Sequence, residues 1–220
     1  MRTSLLTTAE AVDLVVTALA ATPVPARGPR VLAVDGRSGS GKTDLAAAVA
    51  GRVGAPVVHL DDVYPGWDGL AEAVEVLTAD VLAPLRAGRE AVYRRWDWEA
   101  DAPGPVVRVA GAPTVVLEGV GAGAAGPVDL LVWLEAGTAV RRRRGLDRDG
   151  ETFAPHWERW AAQEDELFAR RPVAPLADLV LGTDGPSGFS RGAAGRAPRP
   201  AGPAAAPPGG RSRRPPAGRP

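Results

Sequence analysis

The octapeptide "GRSGSGKT", Gly36 to Thr43, follows the apolar run "RVLAVD" directly. It satisfies the pattern G-x-x-x-x-G-K-[ST], whose spacing has a physical purpose. Glycines let successive backbone N–H groups converge on phosphate oxygens, at the start of a helix whose dipole favours anions. Gly36, Ser38, Gly39, Ser40 and Gly41 would form that cradle, Lys42 would reach the outer phosphates of ATP, and the Thr43 hydroxyl would ligate Mg²⁺. Lys42 is the only lysine in the 220 residues, so a chain that uses Arg elsewhere has Lys where phosphate chemistry asks for it. Two further groups of ionisable residues could act on a phosphate. Asp61 and Asp62 follow the apolar "PVVHL", and Glu118 follows "TVVL". Arg141 to Arg144, with Arg148 one turn on, form a cationic segment able to fold over phosphoryl oxygens.

These groups need elements to hold them. The apolar runs "RVLAVD", "APVVHL", "PTVVLEG", "VDLLVWLEA" and "ADLVLGT" read as five short buried strands. Helical spacing over Leu5 to Ala21, Thr43 to Val53, Leu70 to Leu85, Thr138 to about Arg148 and about Ala154 to Ala169 predicts helices around them. Strands alternating with helices imply crossover connections, hence a three-layer α/β fold with a five-stranded parallel sheet and helices on both faces. Ligands in such sheets collect at the carboxyl ends of the strands, which is where Gly36, Asp61, Asp62 and Glu118 fall. "EAVYRRWDWEAD" and "GPVVRVAG" read as a two-stranded excursion from that sheet.

Composition narrows the classes. Residues 184 to 220 carry seven Arg against one acid, with nine Pro and eight Gly. Such a segment buries too little apolar surface to offset its ordering entropy, so we expect a kinase-sized domain over 1–183 and a disordered tail over 184–220. The remaining 183 residues hold 19 basic and 25 acidic groups. An acidic body argues against nucleic acid as the main partner. The chain has no cysteine, which removes disulfide, zinc-thiolate and thiol chemistry and fits a reducing compartment. No apolar run is long enough to span a membrane, and "LLTTAEAVDLVVTALAA" carries Glu10 and Asp13 within its apolar pattern, unlike a signal peptide. The expected location is the cytoplasm. The chain also has no asparagine, so the Asn-Lys-x-Asp base reader of guanine switches is impossible here. A small-molecule kinase remains.

"VDGRSGSGKT", "HLDDVY", "VVLEG", the Arg-rich segment and the final "ADLVL" together resemble the uridine kinase branch of the P-loop kinases, whose relatives include phosphoribulokinase and pantothenate kinase. The likeness covers about residues 30 to 183. It implies that Asp61 is the base taking the acceptor hydroxyl's proton, with Tyr64 as an aromatic beside the substrate and Glu118 supporting Mg²⁺. By the same resemblance Trp96 and Asp97 line a nucleoside pocket, Asp68 contacts a sugar hydroxyl, and the segment bearing Arg144 and Arg148 forms an Arg-rich lid. The family's His-x-Arg after the Tyr-Asp-Phe-type block is absent, which leaves the base of the acceptor unassigned. The expected activity is transfer of the γ-phosphate of ATP to a hydroxyl of a small molecule, with a nucleoside first. The alternatives are another small alcohol, a nucleoside monophosphate, or an ATP-binding regulator that transfers nothing.

Overall fold

The computed structural model describes residues 5–109, 111–185 and 188–192. Its first helix, α1 (Thr8–Ala21), begins at a capping box. The Thr7 hydroxyl accepts from the Glu10 N–H at 3.2 Å, and the Glu10 carboxylate accepts from the Thr7 N–H at 2.8 Å. Two donors without helical partners are thereby satisfied, stabilising the helix start by about 1 kcal/mol. Ala11, Val12, Val15 and Leu19 form its buried stripe, together with Leu45, Ala46, Val49 and Ala50 of α2 (Lys42–Val53).

Five strands run parallel: β2 (Arg30–Gly36), β3 (Val57–His59), β6 (Thr114–Glu118), β7 (Leu130–Glu135) and β8 (Leu179–Gly182). Their order is β3-β6-β2-β7-β8. Alternate side chains of β2 feed different cores, as the two-residue period of a strand requires. Leu32 and Val34 pack with α1 and α2, whereas Val31 and Ala33 join Leu70, Val74, Leu77 and Trp160 on the opposite face. Burial on both faces explains why these strands read as continuous apolar runs.

The sheet has seven strands rather than the five expected, and it is mixed. β9 (Phe189–Arg191) pairs antiparallel with β8, and β1 (Leu5–Leu6) pairs antiparallel with β9. Strands of two and three residues are too short to carry a period, and Phe189 sits in a Gly-, Ser- and Arg-rich stretch. What holds this edge is backbone pairing, with Leu6 and Phe189 packed against the α1 side of the core. The expected tail thus overlaps the sheet at Phe189–Arg191, while residues 193–220 lie outside the described part.

The helical run expected over Leu70–Leu85 is present but not uniform. α3 (Leu70–Val76) passes through a π-helical stretch at Leu77–Leu82 into α4 (Ala83–Arg86). Inside it, the Thr78 hydroxyl donates to the carbonyls of Val74 and Ala125, both at 2.7 Å. The excursion is a hairpin of β4 (Ala91–Asp97) and β5 (Ala102–Val109) with an irregularity between Arg94 and Trp96. The Arg-rich helix α5 (Thr138–Phe153) runs past Arg148 through a kink at Gly150 (φ 56°, ψ −134°), and a 3-10 turn leads into α6 (Trp157–Arg170).

Candidate active site

The loop between β2 and α2 is shaped by what lies against it. Gly36 (φ 148°) and Gly39 (φ 77°) adopt backbone that L side chains avoid. A Cβ on Gly36 would collide with the Leu134 carbonyl of β7, and one on Gly39 with the Arg141 carbonyl of α5. Gly41 (φ 89°) begins α2 without any side-chain cap, leaving the first N–H groups of a 12-residue helix unpartnered by side chains at the loop. The Lys42 side chain is buried, and its Nζ donates to the Arg37 carbonyl at 3.1 Å. Among the described residues it has no carboxylate partner, so its charge is uncommitted. Ser40 is turned into the protein. It is fully buried, its Oγ has no partner among the described residues, and its carbonyl accepts from the Thr183 hydroxyl at 2.9 Å. Ser38 gives its N–H to Glu164 Oε1 at 2.7 Å and its carbonyl to Arg141 at 3.2 Å.

Beside this loop stands a chain of oxygens. The Thr43 hydroxyl donates to Glu118 Oε1 at 3.2 Å, and Glu118 Oε2 lies 2.8 Å from His59 Nδ1. That hydrogen bond to Glu118 raises the His59 pKa, against the opposing effect of burial. The Glu118–His59 contact follows from register, since these residues are partners across β3 and β6. Asp61 lies two residues past β3 and is exposed at its surface. Crowding by protein raises its carboxyl pKa, as does the negative charge of Glu118, while Lys42 and Arg148 pull it down. Asp62 instead forms an ion pair with Arg95 Nε at 2.9 Å. The resemblance chose Asp61 over Asp62 as the base; in the structure the two differ in that the hairpin pairs the second with a cation.

A further carboxylate, unremarked in the sequence, joins the two loops. Asp35 is wholly buried and accepts from the N–H groups of Gly36 (2.6 Å), Gly121 (3.0 Å) and Gly123 (2.8 Å). Burial pushes its carboxyl up to about 6, although those three donors and Lys42 favour the ionised form.

Other expected site residues stand elsewhere. Tyr64, expected beside the substrate, is 2% exposed, and its hydroxyl donates to the Val120 carbonyl at 2.9 Å. It packs edge-on against Trp160 and supports the glycine loop after β6 rather than facing a ligand. Asp97 caps its own turn, accepting from the N–H groups of Glu99 and Ala100 at 3.1 and 3.0 Å. Trp96 faces the hairpin's own cavity with Val63, Pro65 and Val76, its indole nitrogen buried and unpartnered. Asp68 pairs with Arg159 at 3.2 Å on the surface. Arg144 is engaged by Thr183, donating to its hydroxyl at 3.1 Å and its carbonyl at 2.6 Å. Arg148, on α5, is close enough for its field to reach both Asp61 and Glu118, and Asp149 grips it at 2.8 and 2.6 Å.

The sequence reading missed Trp98 and Trp67. The Trp98 indole donates to the Asp61 carbonyl at 2.8 Å and its ring meets Trp67 at 4.9 Å. Trp67 in turn stacks on His156, at 4.4 Å and 17°. Trp98 lies just past β4, in the turn of the hairpin, where no strand or helix period marks it.

Mg²⁺-ATP suits these residues on two observations. Thr43 and Glu118 present hard oxygens 3.2 Å apart, and an unpaired ammonium lies at a glycine loop that opens a helix. Magnesium takes one or two protein oxygens and completes its shell with phosphate and water.

No family model and no curated protein matches the chain. Solved structures do. A possible uridine kinase from Bacillus stearothermophilus aligns with TM-score 0.57 and 22% identity over 78% of this chain and 97% of that one. The chain carries the fold of the uridine kinase-like P-loop kinases. A D-glycerate 3-kinase from Cryptococcus neoformans (TM-score 0.49, 13% identity, 80% and 95% covered) is more distant. So is a putative fructose transport system kinase from Silicibacter (0.46, 19%, 74% and 93%). No described helix is long and apolar enough to cross a membrane.

Proposed function

We propose that this chain is an ATP-dependent kinase that transfers the γ-phosphate to a hydroxyl of a small molecule, a nucleoside in the first instance. The observation that carries the reading is the meeting of three groups at one sheet edge. They are the uncommitted Lys42 ammonium, the Thr43–Glu118 oxygen pair, and Asp61, on whose carboxyl both Lys42 and Glu118 act. ATP and Mg²⁺ supply, when bound, the transferable phosphoryl group and the divalent charge that screens its oxygens.

The chain's own residues do the rest. Gly36, Ser38, Gly39, Ser40 and Gly41 form the phosphate loop, lined by their backbone. Lys42 stabilises the outer phosphates, and Thr43 and Glu118 hold the metal. Asp61 orients the acceptor hydroxyl and takes its proton; its raised pKa makes it a stronger base than an ordinary surface aspartate. Arg148, on a lid formed by α5, exchanges Asp149 for charge that develops during transfer. Exposed Trp98, hydrogen-bonded to the Asp61 backbone, offers a flat apolar face for a planar acceptor. The similar Bacillus protein is titled a possible uridine kinase, which supports the nucleoside class. The acidic, cysteine-free body supports a cytoplasmic location and a small-molecule rather than nucleic-acid partner.

Comparing two neighbouring substitutions tests the reading. Asp61→Asn keeps size and loses the base, so ATP should bind nearly normally and transfer should slow about 10²-fold or more. Asp62→Asn loses an exposed ion pair worth at most about 1 kcal/mol and should slow transfer no more than about fivefold. A severe loss confined to Asp62 would hand it the role. No loss at either would leave an ATP-binding regulator.

A further inference from the structure

Helix α6 is distant in sequence from the phosphate loop, yet it touches the loop's backbone. Glu164 is 1% exposed, and its Oε1 accepts from the Ser38 N–H at 2.7 Å. Its other oxygen faces Arg37 at 3.4 Å and Arg141 at 3.8 Å. Arg141 is itself buried, and it donates to the Ser38 carbonyl at 3.2 Å and the Ala136 carbonyl at 3.1 Å. Ser38 is therefore held at both of its backbone groups by ionised side chains from two helices, and those side chains face each other. Asp165 completes the set with an ion pair to Arg37 at 2.6 Å, while the Arg37 and Arg141 guanidiniums lie over the rings of Phe168 and Trp157.

Glu164 and Arg141 are deeply buried, and charges so placed are a poor source of stability, because desolvation offsets most of their attraction. Apolar residues of similar size would fold as well. What apolar residues would not do is fix the orientation of the Ser38 peptide, on which the direction of the following loop N–H groups depends. The same clamp bears on α5, since the Arg141 backbone closes against Gly39 so tightly that no side chain fits there. We infer that Glu164 and Arg141 are positioning residues that hold the Ser38 peptide, and through it the phosphate loop, in its nucleotide-binding form, and that they tie the loop to the first turn of α5. This rests on the reading of residues 36–43 as a nucleotide site.

Binding of Mg²⁺-ADP by calorimetry, well below each variant's melting temperature, separates positioning from mere structure. Glu164→Ala removes the acceptor for Ser38 and should weaken Mg²⁺-ADP about tenfold to a hundredfold, the loss expected for one hydrogen bond to a charged group. Glu164→Gln keeps an acceptor for the Ser38 N–H while leaving the buried Arg141 guanidinium without its carboxylate. It should melt lower than wild type yet bind within about threefold of it. If stranded charge prevents Glu164→Ala from folding, the double variant Arg141→Met/Glu164→Leu removes both charges together. It should fold stably and still bind at least about tenfold more weakly. A folded variant of either kind with wild-type affinity overturns the inference, as does a Gln variant no better than Ala. Absence of Mg²⁺-ADP binding by the wild type would instead overturn the nucleotide reading, and the clamp with it.

Discussion

Asp35 ties the phosphate loop to the loop after β6, and replacing it with Asn probes that tie quantitatively. Burial pushes the folded carboxyl up to about 6 from its ordinary 3.8, a difference of about 3 kcal/mol at neutral pH against keeping it ionised and buried. Asn removes that cost. It also sets an NH₂ donor against backbone N–H donors, since the carboxylate serves Gly36 and Gly121 through one oxygen and Gly123 through the other. Stranding one buried donor costs about 1–3 kcal/mol. At pH 7.5 the two effects nearly cancel. Below about 6 the folded wild type takes up a proton that the unfolded chain still releases, so acidification stabilises the wild type through this group, and that stability is lost again as pH rises through 6. The Asn variant has nothing to titrate. Between pH 7.5 and 4.5 the gap should therefore move by about 2 kcal/mol in favour of wild type. Urea melts of both proteins in matched buffers measure it, with all other titrating groups cancelling in the difference. A gap that stays constant across this range would refute the account of Asp35.

Three further substitutions separate roles within the site. Arg148→Ala should lower kcat by about tenfold or more with little change in the KM for ATP, because its field reaches Asp61 and Glu118; Arg144→Ala, whose guanidinium is engaged by Thr183, should lower kcat less, and equal losses would argue against this distinction. Tyr64→Phe should cost about 1–2 kcal/mol in thermal or urea unfolding by leaving the Val120 carbonyl unpaired, with the acceptor KM unchanged; a large rise in that KM would return Tyr64 to the acceptor pocket.

The glycine loop of residues 36–43 and the five parallel strands were legible because local pattern dictates them. A glycine loop needs only its own residues, and strands buried on both faces announce themselves as apolar runs. β1 and β9 were not legible, since edge pairing of two or three residues rests on backbone hydrogen bonds with no side-chain period. The carboxylates after β3 and β6 could be assigned to an edge but not to partners: Asp61 and Asp62 differ only because Arg95 of the hairpin takes the second. Glu164 carries no local signature on the last helix, since its bond to Ser38 spans 126 residues of sequence. The assignment of Tyr64, Trp96 and Asp97 to an acceptor pocket came from resemblance, and the contacts that the structure gives them, Tyr64 to the Val120 carbonyl and Asp97 to its own turn, had no signature in the sequence. Trp98, one residue on, holds the Asp61 carbonyl instead.

The central claim is transfer of phosphate from ATP to a small hydroxyl compound, and acceptor-dependent ADP formation tests it most directly. Wild type and Lys42→Ala would be assayed against nucleosides, nucleoside monophosphates, sugars and hydroxy acids, with phosphorylated product confirmed by mass spectrometry. Lys42 spends its ammonium on one loop carbonyl and on no carboxylate among the described residues, so the variant should keep its fold. The account predicts that wild type forms ADP and a phosphorylated product with at least one class, nucleosides first, and that Lys42→Ala forms neither with any. Wild-type protein that binds Mg²⁺-ATP but phosphorylates no member of the panel would contradict it, as would Lys42→Ala turning over at the wild-type rate.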